Sequence, residues 1–180
     1  MSRKLQIESI LAEQGFTEYC WTNPKDFVVA QWVRMKCTFG CPDYGLGACP
    51  PNTPSVEECR SFFNEYSNAV IIKMRKEIGP DGDFKQMEWS ELMTTKLLEL
   101  ERKVFRTGNL KAFLLNHTCC NSCKSCSNNR IDCKDKRRAK PSPEAMAVDV
   151  FGTVKNAGMQ INEISDHMTE ISRFAFLLVD

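Results

Sequence analysis

The chain has 180 residues, with 24 Lys and Arg against 23 Asp and Glu, a formal net charge of +1. That length supports one domain with a substantial core, since roughly 70% of the extended-chain surface is buried at such a mass, and the near balance of charge disfavours a strongly basic nucleic-acid binder. Ten cysteines stand out: too many for an ordinary metal-free core, and too sparse in a chain this long for a small disulfide scaffold.

Residues 3–14 fit a short amphipathic helix, with Leu5, Ile7, Ile10 and Leu11 apolar and Gly15 as its stop. The N-terminal MSRKLQIESILAEQGF has no apolar run like that of a signal peptide. No stretch nears the ~18 apolar residues of a membrane span. A cytoplasmic protein with no membrane insertion is therefore expected, its thiols reduced and open to metals.

Residues 27–35, FVVAQWVRM, read as a strand rich in Val and aromatics that runs into Cys37. Residues 37–53, CTFGCPDYGLGACPPNT, hold three Gly and three Pro and must form an irregular loop. Thr53 or Ser55 caps the next helix, which has Pro54 near its start, Ser55 and Glu58 at capping-box spacing, and an end near Tyr66. AVIIKM at 69–74 reads as a central strand and GPDGD at 79–83 as a turn.

The clearest helix spans 88–105, where Trp89, Met93, Leu97, Leu100 and Val104 mark one face, read as core packing. Gly108 ends it, and 110–116 is a short strand leading into a second group of cysteines. Ser142 and Pro143 open a helix toward Ala157 and Gly158, weakened in its middle by Gly152, with Ile161 and Ile164 continuing the apolar pattern faintly. The terminal RFAFLLVD is another buried strand. Strands alternating with helices predict an α/β fold: a single compact domain over 1–180, with a mixed sheet and two cysteine-rich metal-binding loops.

The cysteines fall in two patches, 20–59 and 119–133. The sharper motif is Cys120-x2-Cys123-x2-Cys126-x6-Cys133. Two successive two-residue gaps let three thiolates converge, as in ferredoxin runs whose fourth cysteine lies further on, and four thiolates match the four irons of a [4Fe–4S] cluster. A structural zinc also takes four cysteines, although its ligands more often come as separated pairs.

The looser motif is Cys37-x3-Cys41-x7-Cys49-Pro50. Three thiolates would leave one iron of a cluster open to water, substrate or another ligand. Cys59 is a possible fourth but reads better as a buried helix residue, and Cys20 as core. Cys119, next to Cys120, is a spare thiol or reaches toward the other patch. Both patches follow predicted strands, so the two are expected to be neighbours.

Gly40, Gly45 and Gly47 give the first loop freedom to bring backbone N–H groups to sulfur. Arg34 and Lys36, on one face of the predicted strand, are read as a solvated edge or as cations near a cluster. Tyr44 and His117 are the nearest candidates to shield or assist a site, with loop packing and a structural histidine as the plainer readings. Lys134, Lys136, Arg137, Arg138 and Lys140 against Asp135 make a basic segment after the second patch. It reads as a solvated loop or partner-docking surface, and with no aromatics it gives nucleic-acid stacking no support.

KCTFGCPDYG at 36–45, CPPNTP at 49–54, CCNSCKSC at 119–126, Cys133 and PSPEAMAVDV at 141–150 resemble a cysteine-rich family of predicted metal-binding proteins, a domain of unknown function. The resemblance covers most of the chain. It places the family's cysteines on Cys37, Cys41 and Cys49, and on Cys120, Cys123, Cys126 and Cys133. The family usually has a small residue or proline at Cys119. Its Arg-Pro-Ser stands here as Lys140-Pro141-Ser142, before Glu144-Ala145, and its Gly-Ile-Asp-Val as Ala147-Val148-Asp149-Val150. Its occurrence largely in anaerobic bacteria and archaea favours iron–sulfur over zinc.

The leading expectation is an iron–sulfur protein with one or two [4Fe–4S] clusters that passes single electrons to a redox partner protein. The second is an enzyme whose open cluster iron at the three-cysteine site takes a small-molecule ligand. The third is a zinc-stabilised interaction module. No catalytic triad, phosphate loop or paired-carboxylate motif specifies a reaction.

Overall fold

A computed structural model describes residues 2–77, 84–161 and 170–180. The turn expected at 79–83 and Ile164 lie outside the described residues. Helix α1 (Arg3–Glu13) starts at the Ser2 cap and gives way to Gly15 at φ +80°, as the sequence predicts. It is followed by strand β1 (Tyr19–Thr22), which pattern reading missed because it is short and half-buried throughout.

Residues 31–40 are not the strand expected at 27–35 but helix α2 (Gln31–Gly40). Only a short extended piece precedes it: Val29 bridges Val148, and the Ala30 N–H donates to the Ala147 carbonyl. Continuing this antiparallel pairing, residues 31–35 would face 142–146, but 144–146 form a tight turn that ends at Ala147, so no ladder is left for them. Their backbone groups are satisfied within a helix instead.

Helix α3 (Val56–Asn64) carries the expected capping box, in which Ser55 Oγ accepts from the Glu58 N–H and Glu58 from the Ser55 N–H. Strand β2 (Asn68–Glu77), helix α4 (Phe84–Arg106) and strand β3 (Phe113–Leu115) follow. Leu97, Leu100 and Val104 of the predicted stripe on α4 are fully buried, and Trp89 and Met93 pack against the same core.

The helix expected from Ser142 is divided. A single tight turn at Glu144–Met146 ends at Ala147, whose φ of +61° breaks the helix, and α5 (Val150–Asn156) starts afresh from the Asp149 cap. A left-handed non-glycine residue costs ~1–2 kcal/mol. Gly152 is tolerated inside α5 for a steric reason: a Cβ there would lie 2.6 Å from the capping carboxylate of Asp149. Strand β4 (Glu170–Val179) closes the fold.

The sheet order is β1-β2-β4-β3. The expectation of an α/β domain holds, but the sheet is antiparallel at every described pairing, not mixed. Strands β2 and β3 do point the same way and are joined by α4, as alternating elements predict. Because β4 is inserted between them, each hydrogen-bonded neighbour runs antiparallel.

Side chains alternate across this sheet into two apolar layers. Val70, Ile72, Leu114 and Leu177 face α1 and α4; Ile71, Leu115, Phe176 and Leu178 face α3, α5 and Phe27. Both faces are covered, which is why β2 and β4 read as continuous apolar runs. No helix among the described residues is long and apolar enough to cross a membrane.

Candidate metal centre

All ten cysteines are free thiols. Eight of them gather where two loops meet. The first loop, 41–54, leaves the end of α2, and the second, 116–141, leaves β3. Only the second patch follows a strand as expected, yet the two patches do adjoin.

The first loop is a run of tight turns rather than a flexible tether. The Tyr44, Leu46, Cys49 and Asn52 N–H groups each donate to a carbonyl three residues back, and Gly45 donates to the Pro50 carbonyl at 2.8 Å. The base of this loop is fixed by Arg34. Its guanidinium donates to Thr53 Oγ1 at 2.8 Å and to the carbonyls of Pro54 and Ala145 at 2.9 and 3.1 Å. These bonds tie α2, one turn before Cys37, to the start of α3 and to the 144–146 turn. Arg34 and Lys36 thus do not share a strand face: on a helix they point apart, and Lys36 lies over the Trp32 ring at 5.2 Å.

The second loop is pinned at its base by Asn116, whose N–H donates to the Pro141 carbonyl at 2.8 Å and whose amide donates to Thr94 of α4. His117 is buried beside it, its Nε2 3.2 Å from the Ser90 carbonyl and its ring edge-on to Trp89. Burial holds its pKa down to about 4, so the imidazole is neutral near pH 7. The plainer reading of His117 fits this geometry: it anchors the loop to α4.

Asn52 joins the two loops. Its amide donates to the carbonyls of Gly45 and Leu46 in its own loop and of Asn128 in the other, and its Oδ1 accepts from the Arg130 N–H. Sequence reading passed over Asn52. Its only signal was an Asn after Pro-Pro, a residue suited to bonding turn backbone.

Cys120, Cys123, Cys126 and Cys133 line one small cavity of about 20 Å³, together with Gly47, Ala48 and Lys134. The first loop thereby forms one wall of the second loop's site. Gly47 is needed for this approach, because a Cβ would sit 3.3 Å from the Asn129 carbonyl and 4.0 Å from Cys126 Sγ. Backbone hydrogen bonds from Gly47 and Asn128, with Lys134 nearby, hold the Cys126 thiol below its usual value. Of the three loop glycines, Gly47 has the expected part beside sulfur, whereas Gly40 ends α2 in open space and Gly45 supplies a φ of +95°.

The basic segment is the outer support of this cavity. Arg130 reaches back to the carbonyls of Lys136 and Ala139, and Lys140 pairs with Glu101 of α4 at 2.7 Å.

Cys37 lies in the last turn of α2, half-buried, with its sulfur 3.8 Å from the Glu144 carbonyl; Cys41 is exposed and Cys49 is buried. Burial, then the negative charges of Cys119, Asp43, Cys41 and Cys37, push the Cys49 thiol up to about 12. Burial, then Asp43, push Cys119 up to about 11. Cys119 thus adjoins first-loop Asp43 and lines a separate cavity beside His117, not the cavity of its neighbour Cys120. Cys59 is fully buried in α3 against the Pro54 carbonyl, and Cys20 pairs with Ile71 in the sheet, so both belong to the core. Tyr44 is exposed at the rim.

Four thiols around one cavity, with backbone N–H donors aimed at sulfur, form a donor set suited to a thiophilic metal. Zn–S bonds of ~2.3 Å require the sulfurs to close to about 3.8 Å of one another; a cubane cluster holds them further apart. Among the described residues no group of three or more His, Cys, Asp or Glu side chains is already close enough to hold a single metal ion.

No curated protein and no solved structure matches the chain. A family model described as "Predicted metal-binding protein (DUF2284)" matches residues 20–179. With nearly the whole chain matched, and with its thiols gathered where two loops meet, the protein belongs to this predicted metal-binding family.

Proposed function

We propose that this protein is an iron–sulfur electron carrier. In this reading Cys120, Cys123, Cys126 and Cys133 hold one [4Fe–4S] cluster, and Cys37, Cys41 and Cys49 contribute to a second. The observation that carries the reading is the single small cavity lined by all four thiols of the 120–133 motif. Such a cluster supplies one-electron chemistry at a potential set by hydrogen bonds, charge and burial.

The chain's own groups suit that role. N–H donors from Gly47 and Asn128 stabilise sulfur charge, Lys134 adds a cation, and the exposed Cys123 brings the site to the surface. Beside the first site, Trp32, Met35 and Phe39 form an exposed apolar row on α2, Phe39 at 82% exposure. A redox partner protein docking there would bury that row next to Cys37 and Cys41.

The second reading, an enzyme with an open cluster iron, is favoured by one feature. A cavity of about 410 Å³, lined by His117, Arg138, Arg173 and Thr94 among others, opens beside Cys119.

Anaerobic purification followed by iron, sulfide and zinc analysis tests the iron–sulfur reading. The expected protein is brown, holds about four irons and four sulfides per cluster, and gives a paramagnetic signal on one-electron reduction. A colourless protein with stoichiometric zinc and no sulfide overturns it in favour of a zinc-stabilised module.

A further inference from the structure

We infer that Cys119 completes the three-cysteine site, so that Cys37, Cys41, Cys49 and Cys119 form a second four-thiolate centre, and that the adjacent Cys119 and Cys120 serve different centres. This inference rests on the iron–sulfur reading above and deepens it: both clusters are then fully ligated, and no iron is left open.

Three observations lead there. First, Cys120 lines the small cavity with Cys123, Cys126 and Cys133, whereas Cys119 does not. Residues 119 and 120 carry no helical structure, so their side chains are not held together on one helical turn. Two adjacent cysteines can thereby be divided between two sites.

Second, Cys119 adjoins the other loop as well as the cavity beside His117 and Arg138. Asp43 lies beside its sulfur, and among the charges acting on buried Cys49 that of Cys119 has the largest effect, ahead of Asp43, Cys41 and Cys37. The contacts that hold the loops in this relation are those of Asn52 to Asn128 and Arg130, and the missing side chain of Gly47 lets the loops approach closely.

Third, the other candidates are committed elsewhere. Cys59 has no exposed surface and packs with Phe63, Ile71 and Phe176 in the apolar layer under the sheet. Cys20 is held in the β1–β2 ladder. Asp43 is the remaining nearby donor; a four-thiolate centre requires it to turn toward water when the Cys119 thiol ionises, which its half-exposed position allows.

The test uses the full chain purified anaerobically, as wild type and as Cys119→Ser, Cys59→Ala and Asp43→Asn. Wild type is expected to hold about eight irons and eight sulfides and to show no spectral response to imidazole. Cys119→Ser is expected either to lose half its iron and sulfide or to keep them with a first cluster that now responds to imidazole. Cys59→Ala and Asp43→Asn are expected to match wild type. Should Cys119→Ser fold poorly, the same question is read on wild type by alkylation and mass spectrometry. Cys119 is expected to be protected in the loaded protein and to react after the metal is chelated away.

Three results would overturn the inference while leaving the iron–sulfur reading intact. They are a Cys119→Ser protein with full iron and no imidazole response, a deficit in Cys59→Ala or Asp43→Asn instead, and a wild type with only four irons. Zinc without sulfide in wild type would overturn the reading itself. Cys119 would then still be decided by whether Cys119→Ser loses one of two zinc equivalents, loss supporting its place in the centre and retention overturning it.

Discussion

The two thiol groups differ in what assembles them. The second-loop cysteines come from one contiguous segment, Cys120 to Cys133, and face a cavity whose far wall is Gly47 and Ala48. The first-loop thiols come from the end of a helix, from a loop of tight turns and, with Cys119, from the exit of β3. One site is local in sequence, while the other exists only once α2, α3 and the 144–146 turn are docked. The same difference governs charge. Cys126 sits among backbone donors that lower its pKa, while buried Cys49 and half-buried Cys119 are desolvated among anionic groups that raise theirs.

The strongest way to separate the two sites is to undo the docking of α2. Arg34→Ala removes three hydrogen bonds from a charged, half-buried group, and such bonds are each worth about 1.5–3 kcal/mol. A net loss of ~2–4 kcal/mol is expected, read as a lower urea midpoint. Metal bound at the first-loop site should fall with it, while the 120–133 site keeps its content. Equal loss from both sites would show that α2 does not set one site alone.

Thiol reactivity in the metal-free, reduced protein sharpens the electrostatic side of the contrast. A raised pKa means less thiolate at a given pH. At pH 8, Cys49 at about 12 has roughly a thousandfold less thiolate than a thiol at 9.0. Higher intrinsic nucleophilicity offsets part of this, leaving a deficit of ~40-fold toward a disulfide reagent before steric burial is added. Cys126 is expected to react fastest and to level off at a lower pH than an ordinary thiol, while Cys49 is still accelerating above pH 10. Similar rates at the two cysteines would remove the contrast.

How far this was readable in advance follows the same division. The α4 stripe, β2 and β4 were legible because each buries a regular face, and that burial prints a period of 3.6 residues or a continuous apolar run on the sequence. The 120–133 motif was legible because its ligands are neighbours in the chain. Residues 27–35 were misread because β-branched and aromatic residues mark half-buried backbone in general. The helix there is decided by where the Ala147–Val148 partner segment begins, directly after the 144–146 turn. The division of the Ser142 helix depends on a left-handed Ala147, to which alanine gives no clue. Cys119 could not be assigned from spacing, since its neighbours Asp43 and Cys49 are brought to it by tertiary contacts.

Asn52→Ala attacks the contact that the two sites share. It removes side-chain bonds to four backbone groups of two loops, part of which water can replace at this half-exposed position. A cost of about 1–2 kcal/mol is expected. Unlike Arg34→Ala it should weaken metal retention at both sites together, measured as faster release to a chelator. Release from one site only would mean that the loops are held independently.

The finest distinction is made by Gly47→Ala, a first-loop substitution whose effect belongs to the second-loop site. The added methyl meets the Asn129 carbonyl at 3.3 Å, so the loops must part by a few tenths of an ångström and the backbone donor at Cys126 must draw back. A hydrogen bond to a charged acceptor is worth about 1.5–3 kcal/mol. It favours the more negative, reduced state over the oxidised one by only part of that. With ~1 kcal/mol of difference, the second-loop potential should drop by about 40 mV for a one-electron couple. The first-loop potential should stay where it was, because no first-loop thiol receives that donor. Protein-film voltammetry that resolves the two couples decides this. A shift at the first-loop couple, or an upward shift at the second, would mean that Gly47 acts through loop folding and not through its donor to Cys126.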